Sequence, residues 1–431
     1  MDLKHSLTLA ACLCASSLLA QTDDGATHVF RGNIKTVQLY AKGSQITPPV
    51  ITLNAGDRLD LAFDDLDGDT KTYSYIYELR NEDWSPSGLN AMEYTKGFAG
   101  IQIDQYRPSA LAITRYTHYH ATLPDPNYMP TKGGNYLLKV FVSGDQDNPV
   151  FQVRMLVLNN SMSVGGLEVQ PPFTDEVHTT HQKVQFTVST GAHQLNSPTQ
   201  EVKVVIVQNW RWETAKYDIH PSFVRQGYLE YNPEADAVFP GTREWRWLDI
   251  RSFRFQSDRI AKLDEGTTRI NVVVRPDQSR AGFPYVVYQD QNGSYNIITT
   301  DGVNPTYQGD YGHIYFTYVP PDGQPYDGKD LYLFGALTNY EFNDSTRMTW
   351  DPAHNVYHCA QYLKQGYYDY IYVLRSPDGT VDSTPTEGNF FETENNYLVL
   401  VYYRPLGGRW DELVGVGRVN SLAQNNAERA R

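Results

Sequence analysis

The sequence predicts an all-β protein of immunoglobulin-like or early-set-like β-sandwiches in series, and three observations carry that prediction. Apolar residues recur at every second position along many short runs, which places them on one face of a pleated strand. The 32 tyrosines and 7 tryptophans favour strands, while 32 glycines and 24 prolines punctuate the runs. Helical periodicity is nowhere sustained, and there are no internal repeats or heptads.

At 431 residues the chain exceeds one compact core and is expected to hold roughly two to four domains. Its 40% apolar and 20% charged content places it in the globular class rather than the disordered one. The net charge of -14 argues against nucleic acid as a partner, because phosphates need clustered cations. Residues 1–20 read as an export signal: a basic start at Lys4 and His5, an apolar stretch from Leu7 to Leu19, and a cleavage site after Ala20. Leu9-Ala10-Ala11-Cys12 also matches a lipoprotein box, although the apolar run ahead of Cys12 is shorter than a signal core requires. Cleavage after Ala20 leaves Cys359 without an internal disulfide partner. No later run approaches the roughly 20 apolar residues of a spanning helix.

The first domain is placed at 27–158. Leu59, Leu61 and Phe63 alternate, as do Tyr73, Tyr75, Tyr77 and Leu79, so these stretches are expected to pair as antiparallel strands around a solvated hairpin end at Asp64 to Asp69. Two further strands, from Asn135 to Val142 and from Val150 to Leu158, close the domain, the first after a Gly133-Gly134 turn. Between these strands, residues 81–128 are loop-rich and aromatic. Asn159 to Gly166 reads as a linker. A middle β-domain at 167–303 rests on the alternation of Val184, Phe186 and Val188, of Val202, Val204 and Ile206, and of Ile270, Val272 and Val274. A third domain at 306–415 holds strand-like runs at 330–339, 363–374 and 396–403, and 420–431 is expected to be a flexible tail.

No chemistry-bearing constellation stands out. Asp64, Asp65, Asp67 and Asp69 suggest a calcium loop, but from Asp65 the EF-hand register puts Ile76 where a bidentate glutamate belongs, so a turn is the better reading. His118 and His120 have the spacing of a zinc half-site yet lack a third ligand in sequence, and His178 and His181 form a separate pair. Neither pair is taken as a metal site, and no cofactor is expected. Gly-x-Ser-x-Gly is missing, so nucleophilic catalysis has no foothold and a non-enzymatic protein is expected. The run Phe334-Gly335-Ala336-Leu337-Thr338-Asn339, followed by Gln365-Gly366-Tyr367-Tyr368-Asp369-Tyr370, has the pattern of a glycan-binding early-set sandwich. Phe334 and Tyr370 would be core there, but Tyr340 stands where a sugar-stacking tryptophan is usual, which favours structural reuse of the fold.

Taken together, these motifs resemble the plug protein family of the type 9 secretion system. The N-terminal motifs are Arg31-Gly32-Asn33-Ile34-Lys35-Thr36-Val37, Leu61-Ala62-Phe63-Asp64-Asp65-Leu66, Tyr73-Ser74-Tyr75, Asp83-Trp84, Tyr116-Thr117-His118-Tyr119, Leu123-Pro124 and Gly134-Asn135-Tyr136-Leu137-Leu138-Lys139-Val140. The C-terminal ones run from Gly388 to Asn395, from Val401 to Gly407 and from Arg409 to Gly415. Ala62 departs from the polar strand residue expected, and Trp410 from tyrosine. The resemblance implies a periplasmic, non-enzymatic stopper at the inner face of the outer membrane, closing the periplasmic mouth of a large β-barrel translocon that is its partner. It assigns no contact residues. Chemistry alone nominates the aromatic loop at Trp84, Tyr94, Phe98 and Tyr106, and the turn at Arg404, Arg409, Trp410 and Asp411, with buried packing the competing reading for each. A secreted carbohydrate-binding or carbohydrate-active sandwich is the alternative, motivated by the aromatic content and the early-set-like pattern.

Overall fold

A computed structural model describes residues 25–422, and these are nearly all β. The export signal at 1–20, the lipoprotein box at Cys12 and the end of the expected tail lie outside the described residues.

The first sandwich has two facing sheets. One orders His28–Val29, Phe151–Leu158, Gly134–Val142, Tyr73–Arg80 and Ile101–Gln102, with Val50–Thr52 parallel to Phe151–Leu158. The other orders Ile34–Ala41, Leu59–Asp65, Thr117–Leu123 and Gln105–Pro108. Leu59–Asp65 and Tyr73–Arg80 therefore do not form the expected hairpin: they lie in opposite sheets, and the aspartate run arches between them. Their alternating apolar residues meet across the core, where the Phe63 and Tyr73 rings stand edge to face at 5.1 Å. Two strands can share an apolar interior by facing as well as by pairing, and periodicity does not distinguish the two.

The domain boundaries expected beyond residue 158 are overturned. One sheet of the second sandwich runs Ser163–Gln170, His181–Ser189, Tyr228–Tyr231, Phe223–Arg225, with Val238–Pro240 beside His181–Ser189. Its other sheet joins Arg211–Lys216 and Val202–Gln208 to Asn396–Tyr403 and Glu412–Asn420. The last two strands thus complete the second sandwich, and a third sandwich is inserted between its halves. Ile260–Glu265 and Ile270–Val274, assigned from sequence to the middle domain, sit in a sheet of this inserted sandwich with Tyr311–Val319, Val356–Lys364 and Thr349–Asp351. Its second sheet centres on Tyr367–Arg375, flanked by Arg246–Asp249 and Asp330–Phe334. Phe334 and Tyr370 are fully buried.

One smaller expectation also fails, and the start of the expected tail is held. The stretch read as a linker turns into strand at Ser163, and Asn159 donates its amide to the Leu413 carbonyl at 2.8 Å. Asn420 ends the last strand and Ser421 donates to the Asn395 carbonyl at 3.0 Å, so the chain is held at least that far.

Each sandwich has its own core, and a further apolar cluster joins the first to the second. It sets Trp84, Leu137, Leu156 and Leu158 against Val205, Val207, Leu398, Leu400, Tyr402 and Leu413. Val204 and Ile206 on the same strand fill the second sandwich's own core. A strand buried on both faces must be apolar at successive positions, which is why Val204-Val205-Ile206-Val207 and Leu398-Val399-Leu400-Val401 are unbroken runs.

Candidate functional site: two polar seams and an exposed rim

The first seam holds the first sandwich to the inserted one. Asp64 and Lys364 are buried and pair at 2.6 Å, with Tyr311 donating to the same carboxylate oxygen at 2.5 Å. His118 meets the other oxygen at 2.6 Å. Burial alone would push Asp64 up, but the Lys364 charge and His118 outweigh it and hold the carboxylate below its usual range. Burial lowers Lys364 more than Asp64 raises it. Tyr116 and Thr36, both in family motifs, bond across the same seam to Gly309 O at 2.7 Å and to Tyr311 at 2.6 Å.

Asp64 and Asp65 are therefore not part of a solvated turn; only Asp67 and Asp69 are exposed. Carboxylate oxygens of Asp65, Asp67 and Asp69 lie within 4.8 Å of one another, close enough to hold a metal ion. That position belongs to the chain's own cation: Lys71 Nζ lies 2.6, 2.7 and 2.7 Å from the three carboxylates. His120 lies against Asp60 at 3.4 Å rather than joining His118 on a common ligand.

The second seam lies between the first and second sandwiches and brings together two segments more than 300 residues apart. Asp411 Oδ2 pairs with Arg404, accepts from Lys203 Nζ at 3.3 Å and from the Glu82 amide at 3.4 Å. Lys203 also bonds Glu82 at 2.7 Å. Burial and the neighbouring Asp411 push the Glu82 carboxyl up to about 7, while Asp411 is held below its usual range by Glu82 and the two cations. Asn135 extends the network, accepting from Tyr402 at 2.7 Å and donating to Asn81 O at 2.9 Å.

The eight nominated contact residues divide accordingly. Trp84, Tyr94 and Asp411 are buried and cannot form a docking surface; Trp84 stands edge to face with Trp212 at 4.9 Å inside the interdomain cluster. Arg404 is committed to Asp411 and Asn81. Trp410 is half-buried under Lys132, whose ammonium lies 4.5 Å from the ring centroid. Arg409 is exposed and pairs with Glu93, and its carbonyl accepts from Gly88 at 3.2 Å, so the turn and the aromatic loop abut. Phe98 is 88% exposed and Tyr106 is also on the surface. Sequence reasoning missed Met92, 92% exposed on the short helix Ala91–Tyr94, and Leu406 on the adjoining turn. Lone apolar residues in polar loops carry no periodic signal.

Two further residues weighed for chemistry, Tyr340 and Cys359, lie in the inserted sandwich. Tyr340, at the sugar-platform position, donates its hydroxyl to Gly293 O at 3.2 Å. Cys359 is buried, and burial pushes its thiol up to about 11, away from the reactive thiolate.

Residues 34–159 match the family model described as type 9 secretion system plug protein 1st domain. This chain carries the first domain of the type 9 secretion system plug family. Its role is therefore tied to that secretion system of the cell envelope. The likeness of fold extends past the matched residues. A crystal structure of a hypothetical protein from Parabacteroides merdae ATCC 43184 superposes with a TM-score of 0.87 at 28% identity, covering 92% of this chain and 99% of that one. No curated protein matches. Among the described residues no helix is long and apolar enough to cross a membrane.

Proposed function

We propose that this protein is a non-enzymatic plug that seals the periplasmic end of the large outer-membrane translocon of its secretion system by protein–protein contacts. The observation that carries this reading is the plug-family first domain at 34–159. The seams support it: a stopper must resist deformation, and buried apolar and ionic contacts between all three sandwiches oppose hinge motion. Met92, Phe98 and Leu406 supply apolar area that the chain itself leaves exposed, suited to a reversible contact with a barrel rim. Affinity purification from native outer membranes is expected to recover a very large β-barrel protein with the chain. Repeated recovery of the chain without such a barrel would defeat the proposal.

A further inference from the structure

The three sandwiches meet around a cleft of about 670 Å³. Its walls include Gln152 and Arg154 of the first sandwich, Trp210 and Trp212 of the second, and Tyr340 and Phe342 of the inserted one. A smaller cavity of about 130 Å³ shares Arg154, Trp210, Asn339 and Tyr340 with it, so the two adjoin at Trp210. The walls are braced ring against ring. The Arg154 guanidinium lies 4.3 Å from the Trp84 ring and 5.2 Å from that of Trp212. Trp212 in turn stands edge to face with Trp210 at 5.4 Å. On the other side Phe342 stacks on Phe334 at 4.9 Å, and the Arg375 guanidinium lies 5.1 Å over Phe342. A concave, mostly aromatic space at a domain junction, with few polar groups in its walls, is the usual make-up of a small-ligand site.

Two strained turns place rings in this cleft. Asn209 and Trp210 form the two-residue turn between Val202–Gln208 and Arg211–Lys216, with φ of +51° and +60°. A turn left-handed at both positions takes Asn-Gly by preference, and a tryptophan in the glycine position is strained. Asn339 and Tyr340 repeat the combination on the inserted sandwich, with φ of +53° and +57°. Full burial does not offset the strain at Trp210, which stays half-exposed. Strained residues other than glycine concentrate where a ligand is gripped. The polar groups still available then set the ligand's chemistry. Among the described residues, no hydrogen bond holds Trp210 Nε1, the Asn339 side-chain amide or the Arg375 guanidinium, and all three side chains are half-exposed. The charges lining the cleft balance, Lys139, Arg154 and Arg375 against Asp147, Glu213 and Glu341. A ligand with apolar faces, many hydroxyls and no charge suits these walls. A sugar ring lays its C–H face on an indole and turns its hydroxyls to amide and guanidinium groups.

We propose that this cleft binds a short neutral oligosaccharide, stacked on Trp210 and hydrogen-bonded by Asn339 and Arg375. The ring that carries the site, Trp210, belongs to the second sandwich and lies outside the early-set pattern of the inserted one. The site does not depend on the plug reading, and its loss would leave that reading untouched.

The test titrates the full chain, by calorimetry and tryptophan fluorescence, with maltohexaose, cellohexaose, chitohexaose, xylohexaose and mannohexaose at millimolar concentration. At least one of the five is expected to bind at one site per chain and to shift the tryptophan emission. Trp210→Gly is the deciding variant, because glycine suits the left-handed turn and removes the stacking ring. It should weaken binding roughly tenfold or more, while Tm stays within about 3 °C of wild type or rises. Asn339→Gly, likewise compatible with its backbone, should weaken binding severalfold and becomes the deciding variant should Trp210→Gly fail to fold. Trp350→Phe, outside the cleft's lining, should bind as wild type does. The proposal is overturned if none of the five sugars binds, if the deciding variant binds as wild type does, if Trp350→Phe abolishes binding, or if only a polygalacturonate hexamer or a hexapeptide library binds.

Discussion

At the scale of single residues, the seams depend on a few buried charges whose removal is not symmetric. Lys364→Met leaves Asp64 buried with its main counter-charge gone, and the expected loss is about 3–5 kcal/mol in urea unfolding. Replacing both members, Asp64→Asn with Lys364→Met, should cost clearly less than the single change, because no uncompensated charge remains. An equal or larger loss in the double variant would mean that the pair contributes net attraction beyond its desolvation. Asp64 is held below its ordinary range, so its contribution is present above about pH 4 and is lost as pH falls further. Glu82 works with the opposite sign. Its carboxyl is pushed up to about 7, so between its unfolded value and pH 7 the folded chain holds a proton that the unfolded chain does not. Stability from this group therefore falls as pH rises through that window. Glu82→Gln keeps the shape without the titration, and its melting temperature is expected to gain on wild type between pH 5 and pH 8. A constant difference across that range would place the proton elsewhere.

At the scale of elements, the sequence made strands legible and their partners obscure. Alternation located Tyr73–Arg80 and His181–Ser189 because alternate residues of each face a core. It could not say that Leu59–Asp65 and Tyr73–Arg80 lie in facing sheets, since a hairpin and an arch present the same pattern. Nor does local pattern reveal that Val202–Gln208 pairs with Asn396–Tyr403, almost 200 residues away. One signal was there to be used: unbroken apolar runs at 204–207 and 398–401 mark strands covered on both faces, and hence an interdomain joint. The acidic run misled for a related reason. Four aspartates read as solvent-facing, yet Asp64 is buried against Lys364 from the inserted sandwich and Asp65 is buried under Lys71, which folds back from the end of the same run. Two outcomes follow from the pairing. Leu400→Ala, in the joint between sandwiches, should cost about 2–5 kcal/mol. A chain ending at Asn395 should lose the second sandwich altogether, since two of the four strands in one of its sheets are gone; circular dichroism and gel filtration would show a partly unfolded, aggregating protein. A truncated chain that melted like the full one would refute the inserted topology.

At the scale of the whole molecule, the seams and the exposed rim divide the work between holding a shape and presenting a surface. The family motifs fall largely on the seams: Asp64, Thr36 and Tyr116 on one, Asn135, Arg404 and Asp411 on the other. They are therefore poor guides to the partner surface: Trp84 and Asp411, both motif residues nominated from sequence, are buried at a seam, while Tyr94 packs in the first sandwich's own core. The apolar residues Met92, Phe98 and Leu406 are better candidates because they stand exposed among the described residues beside the nominated loop and turn. Substituting all three with aspartate adds charge to an already acidic protein and removes apolar area from the proposed contact, without touching a buried group. If the rim docks on the barrel, recovery of the translocon should drop more than tenfold, since central contact residues commonly cost over 1 kcal/mol each. The melting temperature should stay within about 2 °C of wild type, because exposed substitutions rarely change stability much. Full recovery of the barrel with the triple variant would move the docking surface to another face, with Phe173, Phe223, Phe255 and the exposed pair Val286 and Val287 as the next positions to test.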